Sequence, residues 1–148
     1  MEIGITNITF SSAHFLPAHG KCGYLHGHNY RVEIAISGKT DKKGMVRDFT
    51  ETKKIVRDIV EALDHKLLIA GKSEFYTVSS KNNYLEIKFN DSSKKYLIPK
   101  EDCHVLPMKA VTCEFLAGFL FKKISEKIHN LHYVKLWETD NSWAIFHK

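Results

Sequence analysis

Residues 28–37 alternate without a break, with Tyr30, Val32, Ile34 and Ile36 on one side and Asn29, Arg31, Glu33 and Ala35 on the other. Successive side chains of an extended chain point to opposite faces, so the segment predicts a strand with one face in a core and the other toward solvent. The stretch from Ile3 to Leu16 is rich in β-branched and aromatic residues and has no helical period. It predicts the antiparallel neighbour of that strand.

Two later segments follow a 3.6-residue period instead. Between Phe49 and Leu63 the apolar set Ile55, Val56, Ile59, Val60 and Leu63 opposes Lys53, Lys54, Arg57, Asp58 and Glu61, and Asp48 and Glu51 are spaced as a capping pair. From about Cys113 to Ile128, the residues Phe115, Leu116, Phe119, Leu120, Ile124 and Ile128 share one side, with Thr112 placed to cap the start. Tyr84 to Phe89 and Lys94 to Ile98, around Asn90-Asp91-Ser92-Ser93, predict a hairpin. His132 to Glu138 and Trp143 to Phe146 predict two closing strands. The order is an α+β pattern, an antiparallel sheet carrying a helix pair on one face. The other face calls for burial, and an oligomer is one way to provide it.

The chain has 148 residues, no internal repeat and no linker-like tract, so a single domain over 1–148 is expected. With 43% hydrophobic and 26% charged residues, three prolines and eight glycines, disordered, collagenous and coiled-coil classes are excluded. No apolar run approaches the roughly 18 to 20 residues of a membrane helix, and no basic-then-apolar leader opens the chain. The expectation is a soluble protein without a membrane partner. Three cysteines, an odd number, fit a reducing cytoplasm better than a disulfide framework. The net charge of +5 favours anionic ligands, but the basic residues are scattered and lack the basic-plus-aromatic clustering of a nucleic-acid binder.

The nine histidines are a surplus, and their placement is informative. His26-Gly27-His28 projects two imidazoles to the same side of an extended chain, about 7 Å apart. His14, at the end of the neighbouring strand, offers a third. Three neutral imidazoles with an open fourth position suit a catalytic rather than a structural zinc. Spacing leaves open the alternative of exposed strand-edge histidines without a metal. Cys22, in Gly20-Lys21-Cys22-Gly23, stands beside a lysine and four residues before His26, where a favoured thiolate would serve as base or nucleophile. Asp64-His65 closes the first helix and either shares a proton or caps the helix. Glu138 lies on the inward face with Val134 and Leu136, where a carboxylate needs a partner such as a ligand with two adjacent N–H groups. Thr112 and Glu114 open the second helix as caps or as pocket residues.

Taken together, Phe10-Ser11-Ser12-Ala13-His14, Cys22-x3-His26-Gly27-His28-Asn29-Tyr30, Leu63-Asp64-His65, Thr112-Cys113-Glu114 and Trp137-Glu138-Thr139 resemble the 6-pyruvoyl- and 6-carboxy-tetrahydropterin synthase family, in order and across most of the chain. The resemblance implies a T-fold, with a four-stranded antiparallel sheet and two helices per subunit, three subunits closing a barrel and two rings forming a hexamer. It implies Zn²⁺ on His14, His26 and His28, Cys22 as base, Asp64 and His65 from an adjacent subunit as the complementary proton relay, and Glu138 as anchor of the pterin ring edge. Thr112 and Glu114 would line the same pocket. The implied substrate is 7,8-dihydroneopterin triphosphate. A three-residue gap between cysteine and His-Gly-His resembles the 6-carboxy enzymes of queuosine and archaeosine precursor synthesis, which release acetaldehyde and triphosphate. The 6-pyruvoyl synthases, a dihydroneopterin side-chain lyase and a non-catalytic pterin binder are the alternatives. Three departures from the family stand out: Val111 where a proline commonly precedes the threonine, Ile69 in place of an asparagine, and a longer segment at about 70–108.

Overall fold

The computed structural model describes residues 1–148. Strand β1 (Glu2–His14) pairs antiparallel with β2 (His26–Ser37), in a register that sets His14 opposite His26 and Ser12 opposite His28. β2 then pairs with β8 (Leu131–Thr139), and β8 with β9 (Ser142–His147), both antiparallel. These four strands are the expected antiparallel sheet. It continues beyond β1 through two parallel strands, β3 (Lys66–Ala70) and β7 (Cys103–Leu106), giving six strands in the order β7-β3-β1-β2-β8-β9. The segment at 70–108 also builds a separate three-stranded antiparallel sheet from β4 (Tyr76–Lys81), β5 (Tyr84–Phe89) and β6 (Lys95–Pro99). The expected hairpin is therefore two-thirds of a sheet, and the four-stranded description is too small by two strands.

The alternation in β2 orients the strand as its pattern requires: Tyr30, Val32, Ile34 and Ile36 are buried. Helices α1 (Phe49–Glu61) and α2 (Cys113–Ser125) pack on that side, α1 against β1 and α2 against β8 and β9, and they touch each other. Both caps form. The Asp48 side chain accepts from the Glu51 amide at 2.8 Å and Thr112 Oγ1 from the Phe115 amide at 3.3 Å, each worth about 1 kcal/mol to its helix. Val56, Val60, Leu116, Leu120 and Ile124 join one cluster of 29 buried residues. Phe115 does not; it stays exposed at the first turn of α2.

Gly27 separates the two histidines of β2 for a steric reason. A methyl group there would lie 3.1 Å from the Ser12 carbonyl oxygen, so glycine lets β1 and β2 close up where the imidazoles converge.

Candidate active site

The three histidines meet. Their ring centres lie 4.5 Å (His14–His26), 5.1 Å (His26–His28) and 5.2 Å (His14–His28) apart, and one nitrogen from each falls within a 4.8 Å cluster. Hydrogen bonds at the far sides of two rings select the nitrogens that face inward. His14 Nδ1 is 2.7 Å from the Val111 carbonyl, and His26 Nδ1 is 2.8 Å from the Tyr24 carbonyl. A carbonyl only accepts, so each Nδ1 carries the proton and each Nε2 presents a bare lone pair. His14 Nε2 is buried and has no hydrogen-bond partner in the protein. An orphaned buried acceptor among two other imidazoles is the donor set a divalent transition metal requires.

Burial is the main reason that the His14 pKa falls to about 4; the Val111 hydrogen bond opposes it, and repulsion from His26 and His28 adds to it. Burial also lowers the pKa of His28, partly offset by the Glu138 carboxylate. Neutral imidazoles are the ligating form.

Glu138, expected to hold a ring edge, faces the histidines, with Oε1 3.9 Å from His14 Nε2 and 3.8 Å from His28 Nε2. The same carboxylate borders a cavity of about 280 Å³ that it shares with Cys22, Thr112, Glu114 and Trp143. Cys22 sits in the tight turn Gly20–Gly23 between β1 and β2. The structure therefore brings Cys22, Glu138, Thr112 and Glu114 to one hollow, which Glu138 connects to the three histidines.

Asp64 and His65 lie elsewhere. His65 lines a second cavity, of about 500 Å³, with His28, Ser12 and Lys66. Ser11 clamps the pair from both sides: its N–H donates to Asp64 Oδ1 at 2.7 Å, and its carbonyl accepts from the His65 N–H at 2.7 Å. His65 adopts a left-handed backbone (φ 55°), which swings it off the end of α1. Its Nδ1 lies 2.7 Å from Asp64 Oδ2. The Ser11 N–H, with His65 adding, keeps the Asp64 carboxyl below its usual range. An ionised carboxylate so held orients the imidazole and leaves the exposed Nε2 free to exchange a proton. Within one chain His65 and Cys22 open onto different cavities.

Two features escaped the sequence. The Val111 carbonyl holds His14 from 97 residues away. Tyr30, two residues beyond His28, is buried under the cluster, and burial with the Glu138 charge raises its pKa, leaving the phenol protonated.

The family model described as 6-pyruvoyl tetrahydropterin synthase matches residues 4–148. A relative from Methanocaldococcus jannaschii, provisionally named 6-carboxy-5,6,7,8-tetrahydropterin synthase, is 38% identical over 85% of this chain and 77% of its own. The Haemophilus influenzae protein of the same name is 30% identical over 93% of both chains. Among solved structures, the Plasmodium falciparum 6-pyruvoyl tetrahydropterin synthase superposes with a TM-score of 0.91 at 27% identity, covering 100% of this chain and 97% of that one. On this fold, with these histidines, the chain is an enzyme of the 6-pyruvoyl tetrahydropterin synthase family.

Proposed function

We propose that the protein converts 7,8-dihydroneopterin triphosphate and one water to 6-carboxy-5,6,7,8-tetrahydropterin, acetaldehyde and triphosphate, as a step toward 7-deazaguanine nucleosides. The observation that carries the reading is that Glu138 links the two parts of the site, facing the three-histidine cluster and bordering the hollow that holds Cys22. Relatives named for the 6-carboxy activity and the short Cys22-to-His26 gap favour this product over the 6-pyruvoyl one.

His14, His26 and His28 would hold Zn²⁺. When bound, the ion supplies a Lewis acid that acidifies the C–H beside a hydroxyl and offers an open coordination position. The remaining work falls to the chain's own groups. Cys22 accepts the proton from the side-chain carbon next to the ring. Glu138 would accept the paired N–H groups of the amino-pyrimidinone edge and anchor the ring, with Thr112 and Glu114 lining the same hollow.

The separation of Cys22 from Asp64 and His65 supports a site completed between subunits. The sheet ends in two unpaired strands, β7 with exposed Val105 and β9 with exposed Trp143 and Ile145. Edge-to-edge joining in a ring would bury both and bring the His65 relay of one subunit toward the Cys22 hollow of the next. Identification of the product by mass spectrometry tests the activity.

A further inference from the structure

Lys94 stands at the turn between β5 and β6, in the extended segment, yet its Nζ donates to the Gly23 carbonyl at 2.8 Å, 71 residues away in sequence. The ammonium lies 4.7 Å from the ring centre of Phe89, 5.3 Å from Tyr96 and 5.5 Å from Tyr24. Three aromatic rings and a carbonyl thus surround a cation that a solvated turn lysine would keep free. Below it, Tyr76, Phe89 and Tyr96 pack around Phe15, with ring centres 5.3, 5.4 and 5.5 Å from it.

Phe15 follows His14 directly, and Gly23 follows Cys22 directly. The β4–β6 sheet therefore grips the connection between β1 and β2 at both ends: at Phe15 as it leaves the metal ligand, and at Gly23 as it leaves the thiol. Between these grips the turn closes on itself, the Leu16 amide donating to the Cys22 carbonyl at 2.7 Å and the Cys22 amide to the His19 carbonyl at 3.0 Å. Gly23 has no side chain to pack, so a hydrogen bond to its carbonyl is a direct way to hold the backbone there.

We propose that Lys94 is a positioning residue for Cys22, the extended sheet holding the Gly20–Gly23 turn through the Lys94–Gly23 hydrogen bond and thereby fixing the thiol in the hollow it shares with Glu138. The extension at 70–108 is then a brace for the catalytic turn. This inference rests on the reading of Cys22 as the base.

The test compares Lys94→Met, which keeps an apolar stem in the aromatic cluster and removes the donor, with Lys94→Arg, which keeps charge and donors, in the zinc-loaded full-length protein. The readouts are the iodoacetamide alkylation rate of Cys22 relative to Cys103, followed by peptide mass spectrometry at one pH, together with kcat, KM and zinc content. A displacement of the thiol by a fraction of an ångström predicts for Lys94→Met a relative alkylation rate changed by about threefold or more and kcat lowered about tenfold, with KM within about twofold and zinc retained. Lys94→Arg should recover most of both effects. Unchanged alkylation and kcat in Lys94→Met, or equal losses in both variants accompanied by a fall in Tm, would overturn the proposal. Cys22→Ala is measured alongside. If it kept its turnover, the role of Cys22 would fail, whereas the alkylation comparison would still decide whether Lys94 places the turn.

Discussion

His14 and Val111, 97 residues apart, share a hydrogen bond of 2.7 Å that decides which imidazole nitrogen enters the cluster. The interaction uses the backbone carbonyl, which any residue supplies, so valine in place of the family's usual proline leaves it intact. The buried Nε2 that results has no partner within the protein.

Removing one ligand should therefore empty the site. His26→Ala is expected to reduce bound zinc from one ion per chain to a small fraction, with activity lost in proportion. Elemental analysis after gel filtration checks this. Full zinc occupancy in the variant would contradict the ligand assignment.

Cys22→Ala should act on chemistry alone. The residue has no ligand role and lies in a turn outside the core, so zinc content and Tm should stay near wild type while kcat falls by about 10²- to 10⁴-fold. Steady-state kinetics on the zinc-loaded variant gives the answer.

The two pocket carboxylates should separate kinetically. Glu138→Gln, which would loosen the ring-edge anchor, is expected to raise KM by about tenfold or more through loss of a charged hydrogen bond, whereas Glu114→Gln, on the pocket wall, should change KM by less than about threefold. Equal effects on KM in the two variants would remove the division of roles drawn here.

Because Cys22 and His65 open onto different cavities of one chain, two inactive variants should complement each other. Unfolding and refolding Cys22→Ala together with His65→Ala should restore activity to about one quarter of wild type, the share of sites that random mixing leaves intact. No recovery would place both residues in one subunit's site.

The Asp64 carboxyl is held below its usual value near 3.8, chiefly by the Ser11 N–H. A depressed carboxyl contributes stability that is complete above its ordinary pKa and is lost as pH falls through the folded-state value. Asp64→Asn should be less stable than wild type at neutral pH, and the gap in urea midpoint should close below about pH 4. A gap unchanged down to pH 2 would show that Asp64 acts through its shape rather than its charge.

Much of this was legible in the sequence where a period or a spacing expresses it. The alternation of Tyr30 to Ile36 gave β2, the Asp48 and Thr112 caps gave the helix starts, and the spacing of His26 and His28 with His14 gave the cluster. Strand β3 was not legible: Lys66 to Ala70 is buried along nearly its whole length, and its four-residue apolar run, Leu67 to Ala70, has no period to read. Its parallel pairing, and that of β7, joins segments that no local pattern connects. Glu138 read correctly as facing inward, but the company it keeps there is set by β1 and β2. Lys94 reads as an ordinary turn lysine until the fold brings Gly23 beneath it.

The most direct measurement is mass spectrometry of the products formed when the zinc-loaded protein is incubated with 7,8-dihydroneopterin triphosphate. The expected result is 6-carboxy-5,6,7,8-tetrahydropterin with acetaldehyde and triphosphate in equal amounts. Accumulation of 6-pyruvoyl-tetrahydropterin, or substrate left unchanged, would contradict the proposed activity.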